Sequence, residues 1–337
     1  MSPARGLDSL NLADAEERPL ESHEVRISIR ANSINARDLM IASGHSPLPV
    51  AETLTPLSDG AGVVVETGSG VEAILPGDRV VAAFNPAHLE GIYRPEMEVH
   101  ALGGVAPGLL ATSVVLPASA VVRLPDNVSF EQAASLPCAG VVAWNALFET
   151  GVLRPGEIVF ATGMGSVSLI ALQLAKLAGA VFGLSSSSDA KLALAKEMGA
   201  DFTVNYAAEP EWDAAVRRET QGIGAHVVLE NAGPPSIAAS VRAAAQGGRV
   251  AQIGFAAPEG PPISALDLLV GGVSIDPVMV GSRAMLERLI RALAANSITI
   301  PIARRFAFEE AELAFEAAAR GDQLGKIIIT HEEGNDP

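Results

Sequence analysis

The stretch IVFATGMGSVSLI, residues 158–170, joins an apolar run to a glycine turn and to the start of an amphipathic segment. The apolar run predicts a buried strand, and the spacing after the glycines predicts a helix at residues 167–178. Gly163 permits a tight turn, and Gly165 lets the backbone approach a pyrophosphate. Because the first turn of a helix offers free N–H groups to phosphates, the stretch is a candidate dinucleotide site. A Gly-x-Gly turn alone is common, so the assignment depends on the apolar strand before it and the helix after it.

The rhythm of strand, turn and helix continues towards the C-terminus. Apolar runs that lack alternation are typical of parallel strands covered on both faces, so we predict a doubly wound parallel sheet. Its further strands are predicted at residues 181–184, 203–205, 227–229 and 249–253, with helices at 190–198 and 237–245. Beyond it we predict a helix at 283–295, a strand near 300–303, a helix at 309–319 and a strand at 326–330, which need not belong to the same sheet.

The N-terminal part of the chain has shorter and less regular elements. Val25, Ile27 and Ile29 alternate with polar residues, and short apolar runs follow between Gly and Pro clusters. Such alternation predicts half-buried strands and a mostly β domain. The fold class is therefore α/β, with a mostly β domain followed by a parallel-sheet domain.

The composition excludes several classes of protein. With 337 residues, 49% of them hydrophobic, the chain can bury a large core, which rules out disorder. Its 39 acidic residues against 23 basic ones give a net charge of −16, which disfavours nucleic acid and acidic membrane surfaces as partners. We expect no membrane span and no export signal. The single cysteine, Cys138, excludes an internal disulfide and indicates a cytoplasmic location.

The end of the second predicted parallel strand bears on the choice of cofactor. Where an NAD-selective fold carries Asp or Glu, residues 185–188 are four serines, and Lys191 follows. Hydroxyls and a lysine can bind a 2′-phosphate, which favours NADP(H) over NAD. Alternatively, Ser187 or Ser188 caps the next helix, and capping is compatible with phosphate binding.

Several motifs in a fixed order resemble the medium-chain dehydrogenase/reductase superfamily, and within it the zinc-free, quinone-oxidoreductase-like branch. They are ANSINARDL (31–39), LSDGAGVV (57–64), PGDRV (76–80), AASLPCAGVVAW (133–144), GADFTVNY (199–206) and LGKII (324–328). The resemblance covers nearly the whole chain. It implies a GroES-like mostly β catalytic domain from residues 1–138 and 282–337, and a Rossmann NADP-binding domain from residues 139–281, with the cofactor in the cleft between them.

The resemblance also bears on metal binding. Zinc-containing members place their catalytic ligands at the positions of Asn35, Ser58 and Cys138. One thiol cannot replace the three protein ligands that a catalytic zinc needs, so we predict a site without metal. The four-cysteine structural lobe is absent as well, because residues 84–104 contain no Cys.

The family's cofactor contacts can be carried over residue by residue. The resemblance implies Gly163, Gly165, Ser166 and Val167 at the pyrophosphate, Ser186, Lys191 and Tyr206 at the 2′-phosphate, and Asn231, Gly233, Ile253, Gly254, Phe255 and Val278 along the adenosine and nicotinamide ends. Two positions depart from the pattern: Ser166 replaces a usual glycine, and Val142 replaces a threonine found in many relatives. Both departures predict reduced cofactor affinity.

Two residues are candidates for catalysis. Asn35 can donate an amide N–H to a substrate oxygen, as an oxyanion hole does, or it can be a structural amide. His45 can be the proton donor that follows hydride transfer, or a histidine of a surface loop.

We predict an NADPH-dependent oxidoreductase that transfers hydride to a quinone, enone or other small carbonyl compound without metal. A zinc-type alcohol dehydrogenase and a catalytically silent NADPH-binding sensor or structural protein are the alternatives. The resemblance further implies a homodimer that pairs through residues 272–280, where Pro277 suits an edge strand.

Overall fold

The chain forms two compact units in a computed structural model that describes residues 1–2, 6–14, 18–255, 257–296 and 298–332. The first unit comprises Met1–Val141 and Val280–Pro337, and the second comprises Val142–Met279. The sequence placed the inserted domain at residues 139–281. The last residues of the chain, 333–337, lie outside the described part.

A seven-stranded sheet forms the centre of the first unit. Val25, Ile27 and Ile29 are buried and alternate with more exposed residues, as the sequence predicts. The strands are β1 (Glu24–Ser33), β2 (Asp59–Thr67), β3 (Arg79–Ala82), β4 (Ser113–Pro117), β5 (Val121–Arg123), β12 (Ile302–Ala307) and β13 (Lys326–Thr330). Their order in the sheet is β12-β13-β1-β2-β3-β5, and β4 also pairs with β1.

The C-terminal strand closes the first unit by pairing with the N-terminal one. β13 runs antiparallel to β1, with Ser33 opposite Ile328, and the pairing continues through the hydrogen bond from Ile34 N to Ile327 O (3.1 Å). The next pair in this register is Asn35 and Lys326. Two segments from opposite ends of the chain therefore meet where β1 ends.

Helices of the first unit surround this sheet. They are α1 (Ala36–Ala42), α2 (Phe130–Ala134), α9 (Arg283–Asn296) and α10 (Ala311–Arg320), with 3₁₀ turns at Leu7–Ser9, Pro95–His100, Ala118–Ala120 and Phe308–Glu310. A π-helical turn at Leu136–Gly140 leads into α3 (Val141–Trp144), in which the division between the units falls, and a second π-helical turn spans Asn145–Glu149. The strand predicted at 300–303 instead covers Ile302–Ala307, because it pairs with β13 from Ile302 onward.

The second unit is a parallel six-stranded sheet flanked by helices, as predicted. The strands are β6 (Ile158–Ala161), β7 (Val181–Ser186), β8 (Phe202–Asn205), β9 (Ala225–Glu230), β10 (Ala244–Gln252) and β11 (Ser274–Pro277). Their order in the sheet is β11-β10-β9-β6-β7-β8. The helices are α4 (Ser166–Leu177), α5 (Asp189–Glu197), α6 (Trp212–Glu219), α7 (Ile237–Ala243) and α8 (Ala265–Gly271).

Two features of the second unit differ from the sequence prediction. The predicted helix at 237–245 ends at Ala243, because Ala244 is extended (ψ 147°) and already pairs with Ala225. In addition, α6 and α8 are two helices that were not predicted from the sequence. Trp212, Ala215 and Val216 pack into the core from one face of α6, a spacing that could have indicated a short helix.

Candidate functional site

The strand order of the second unit reverses between β6 and β9. From β6 the chain moves outward through β7 and β8, and from β9 it moves the other way through β10 and β11. In open parallel sheets, ligands bind outside the carboxyl ends of the strands at such a reversal. Here Thr162 follows β6 and Asn231 follows β9, and Asn231 N donates to Thr162 Oγ1 over 2.8 Å.

The glycine turn lies beside this point. Gly163 has a φ of +80°, which disfavours other residues, and a Cβ built on Gly163 or Gly165 meets nothing within 4 Å. Gly165 is the N-cap of the twelve-residue α4, so Ser166 and Val167 supply the first N–H groups of that helix. Four of the predicted cofactor residues therefore form one open cradle.

Asn231 and Gly233 follow β9, where an acidic side chain holds their loop. Glu230 is fully buried, and its Oε1 accepts hydrogen bonds from Ala232 N and Gly233 N, each 2.9 Å. Ser236 Oγ also donates to this carboxylate (2.7 Å), as does Ser240 Oγ. The sequence analysis did not identify Glu230, although a lone charge at the end of the apolar run VVLE was a signal.

The other predicted cofactor residues lie at the same carboxyl edge. Ile253 N and Gly254 N donate to Glu230 O over 3.0 and 2.9 Å, and Val278 N donates to Gln252 O over 2.9 Å. A Cβ on Gly254 would stand 1.8 Å from Asn231 O, so no larger residue fits without movement. Phe255, in contrast, exposes 44% of its surface.

The predicted 2′-phosphate residues come together after β7 and β8. Tyr206 N donates to Ser186 O (3.2 Å), and Ser188 Oγ accepts from Lys191 N, so Ser188 does cap α5. The prediction of NADP(H) assumed that no acidic residue lies here, but Asp189 begins α5. Its carboxylate accepts a 2.6 Å hydrogen bond from Asn205 Nδ2.

These residues fit a dinucleotide. The cradle leaves space over both glycines, and Asn231 directs its Nδ2 towards Ser168 Oγ (3.2 Å) while its buried Oδ1 has no hydrogen-bond partner within the described part of the chain. A buried acceptor without a donor costs free energy, which a ligand hydroxyl or amide would recover.

A second polar cluster, which we call the Asn35 cluster, lies in the first unit: Asn35, Asp38, Asp59 and Lys326, which are buried, and Cys138, which is partly exposed. Lys326 Nζ donates to Asn35 Oδ1 (2.6 Å) and to the carbonyl oxygen of the preceding residue (2.8 Å). Asp38 accepts from Asn35 N over 2.8 Å. Asp59 Oδ2 accepts from Cys138 N over 3.2 Å, inside the π-helical turn Leu136–Gly140. Such turns are frequent at functional sites.

Burial sets the protonation equilibria of the Asn35 cluster. It raises the pKa of Asp38 to about 6, against the charge of Arg37. It also raises the pKa of Asp59, while the charge of Lys326 and the neighbouring Asn35 amide oppose that rise. Burial lowers the pKa of Lys326, which Asp59 opposes, and it raises the pKa of the Cys138 thiol far above its usual range.

Comparison with known proteins agrees with this architecture. The alcohol dehydrogenase GroES-like domain family matches residues 21–126, and the zinc-binding dehydrogenase family matches residues 166–295. A zinc-type alcohol dehydrogenase-like protein of Schizosaccharomyces pombe is 37% identical over 331 residues, 96% of each chain. This chain belongs to the medium-chain dehydrogenase/reductase superfamily.

Solved structures of the superfamily share the fold over nearly the full length. A Sinorhizobium meliloti protein, assigned by its name as an alcohol dehydrogenase, superposes with a TM-score of 0.89 at 35% identity, covering 96% of this chain and 95% of that one. A Pseudomonas syringae quinone oxidoreductase superposes with a TM-score of 0.80 at 27% identity, covering 96% of each chain. The protein is thus an oxidoreductase of a superfamily that uses a nicotinamide dinucleotide.

The donor set at the superfamily's zinc position does not suit zinc. Asn35 offers an amide whose oxygen already accepts from Lys326, Ser58 Oγ donates to Asp59 (2.8 Å), and Cys138 is the single thiol of the sequence. Zinc needs thiolate, imidazole or carboxylate ligands. Within the described ranges, no three His, Cys, Asp or Glu side chains are grouped so as to hold a metal ion.

The two predicted catalytic residues differ in their surroundings. Asn35 is 9% exposed, and its Nδ2 is buried without a hydrogen-bond partner among the residues described. His45 is exposed in the turn after α1, where its backbone N–H donates to Met40 O.

None of the helices in the described ranges combines the length and the apolar composition that a membrane span requires.

Proposed function

We propose that this protein is an NADPH-dependent oxidoreductase that transfers hydride to a quinone, an enone or another small carbonyl compound without metal. The observation that carries the proposal is the Asn35 cluster, in which an amide donor stands at the position of a zinc ligand. Its oxygen accepts a hydrogen bond from Lys326 Nζ, while its nitrogen has the Asp59 carboxylate as a neighbour but no hydrogen bond of normal geometry in the part of the chain that the structure describes. The nicotinamide supplies the hydride when the cofactor is bound.

Asn35 polarises the acceptor in this proposal. A carboxamide has two N–H donors, so Nδ2 can face Asp59 and still donate to a substrate oxygen that gains negative charge. A single donor of this kind contributes roughly 100-fold to kcat. His45 is proposed as the proton donor that completes reduction of an enone or quinone, in keeping with its exposed position.

The choice of NADPH is supported by the residues after β7 and β8. Ser186, Lys191 and Tyr206 supply hydroxyls and a positive charge near the end of β7. The Asp189 carboxylate would repel a 2′-phosphate. However, Asn205 Nδ2 on β8 donates a hydrogen bond to that carboxylate, which orients it towards β8. The single cysteine further supports the proposed cytoplasmic location.

The test begins with metal analysis of the purified protein and calorimetric titration with NADPH and NADH. Oxidation of NADPH is then followed with quinones, enones and aldehydes. We expect micromolar NADPH binding, weaker NADH binding and turnover of at least one acceptor class. Stoichiometric zinc would instead indicate a zinc-type alcohol dehydrogenase, and tight NADPH binding without turnover would indicate a sensor or structural protein.

A matched pair of variants tests the 2′-phosphate site. Lys191→Met should weaken NADPH binding by roughly 10- to 150-fold and leave NADH binding unchanged, because a charge-assisted hydrogen bond is worth about 1.5–3 kcal/mol. Lys196→Met removes an exposed lysine from the last turn of the same helix and serves as the control. Equal effects of Lys191→Met on both cofactors would contradict NADPH selectivity.

We also propose a homodimer that pairs through β11. This strand is the edge of the sheet, and the preceding α8 exposes Leu266, Leu269 and Val270 by 65%, 79% and 66%. An unpaired edge beside an apolar face suits a second copy of the chain. Light scattering should give twice the 34.7 kDa chain mass, and Leu269→Glu should give monomers while Leu194→Glu on α5 does not. A wild-type monomer at micromolar concentration would refute the dimer.

A further inference from the structure

Lys326 is a buried lysine of the Asn35 cluster to which neither the LGKII motif nor the proposed reaction assigns a role. Its side chain is 1% exposed, and the antiparallel register of β1 and β13 brings it opposite Asn35. Burying an ammonium is costly unless hydrogen bonds and counter-charges compensate. Here the compensation comes from two oxygens, Asn35 Oδ1 at 2.6 Å and Ile34 O at 2.8 Å.

These two bonds determine which way the Asn35 carboxamide faces. An ammonium donates and cannot accept, so the amide oxygen must be the atom that faces Lys326. The bond to Ile34 O fixes the ammonium relative to the backbone beside Asn35. The Nδ2 end is therefore turned away from Lys326 and lies beside the Asp59 carboxylate, without a hydrogen bond of normal geometry among the described residues.

We propose that Lys326 is a positioning residue that holds the Asn35 carboxamide with its N–H donors directed at the substrate oxygen. This inference rests on the proposed function, because it requires Asn35 to bind the acceptor. The hydrogen bond to Oδ1 also polarises the amide, which strengthens donation from Nδ2. Without Lys326, only the Asp59 carboxylate beside Nδ2 orients the carboxamide, so its N–H donors are held less firmly towards a substrate oxygen.

A double-mutant cycle separates positioning from a structural role. Lys326→Met removes the donor, Asn35→Ala removes the amide, and Asn35→Ala/Lys326→Met removes both. Ile327→Ala is the control: its side chain packs in the core on the opposite face of β13, so it destabilises the same strand without touching Asn35. Urea unfolding confirms that every variant is folded under assay conditions.

We expect Lys326→Met to lower kcat by about 10- to 100-fold, as small misplacements of catalytic groups do. The KM for NADPH should stay unchanged, and Lys326→Met should have no further effect on kcat in the Asn35→Ala background. Ile327→Ala should lower the urea midpoint and leave kcat unchanged. If the two losses in kcat instead multiply, Lys326 does not act through Asn35.

Two further outcomes keep this inference separate from the proposed function. If Asn35→Ala turns over at the wild-type rate, the proposed role of Asn35 fails, and the positioning role fails with it. Independently of turnover, the side-chain ¹⁵N–¹H₂ signals of Asn35, assigned by their loss in Asn35→Ala, report the contact directly. They should shift and exchange faster in Lys326→Met, and unchanged signals would overturn the proposed contact.

Discussion

Protonation of His331 should destabilise the protein as the pH falls from 7 to 4. The ring is partly buried and packs against Phe308, with 4.6 Å between ring centroids, and its Nε2 lies 2.7 Å from Asn32 Oδ1. Asn32 Nδ2 donates to Asp59 O and Leu109 O, so Asn32 Oδ1 is an acceptor for a neutral His331 that carries its proton on Nε2. Burial, aided by the charge of Arg30, lowers the pKa of His331 from 6.5 to about 4.

The sign and size of the effect follow from this pKa. The unfolded chain binds the proton at a pKa of 6.5 and the folded chain at about 4, so protons favour unfolding between these values. The stability is fully present above pH 6.5, falls progressively as the pH drops from 6.5 to 4, and changes little from this group below pH 4. At about 1.36 kcal/mol per pKa unit, the loss is about 3 kcal/mol.

His331→Gln tests this reasoning, because glutamine keeps an N–H donor for Asn32 Oδ1 but does not titrate. The free energy of unfolding of both proteins is measured by urea titration from pH 4 to 7. The variant should be less stable than the wild type at pH 7, and its stability relative to the wild type should rise by about 3 kcal/mol towards pH 4. Since every other titrating group is common to both proteins, parallel stability curves would refute the assignment to His331.

Three further substitutions test other parts of the structure. The free energy of unfolding of Asp38→Asn should rise by about 3 kcal/mol relative to that of the wild type as the pH increases from 4 to 7. The reason is that folding raises the pKa of Asp38 from 3.8 to about 6, so the wild type loses stability over this range; equal urea-derived stability curves would contradict this. Glu230→Ala leaves Ala232 N and Gly233 N without their acceptor, so calorimetry should show NADPH binding at least about tenfold weaker, and an unchanged Kd would contradict that role. Gly254→Ala should lower stability by about 1–3 kcal/mol, because its Cβ would stand 1.8 Å from Asn231 O; an unchanged melting temperature would show that the loop can move.

The parallel sheet could be predicted because its strands are recognisable one by one. β6, β7 and β9 are apolar runs ended by polar or glycine residues, and the glycine turn after β6 identifies the carboxyl edge. The boundary between α7 and β10 could not be placed, because the alanines around Ala244 favour helix until Ala244 pairs with Ala225. Here the tertiary pairing overrides the local propensity.

The Asn35 cluster shows what a linear sequence leaves out. Asn35 and Lys326 lie 291 positions apart, and the register of two strands alone makes them neighbours. Asn35 is a candidate donor in the sequence and Lys326 belongs to the LGKII motif, but nothing in their sequence spacing predicts that the two side chains are in contact. Glu230 was missed for a similar reason, because its partners extend from the turn after β6 to α7.

The energetics of the Asn35 cluster indicate that it serves chemistry rather than stability. Asp38, Asp59 and Lys326 are each at most 2% exposed, and an apolar group of similar volume would avoid the cost of removing each charge from water. The amide of Asn35 adds a buried donor that makes no hydrogen bond of normal geometry among the described residues. An apolar replacement of the whole cluster would keep the packing of β1, α1 and β13, and it would lose the oriented donor. The cluster therefore lowers stability in exchange for a fixed carboxamide, which agrees with the role proposed for Asn35.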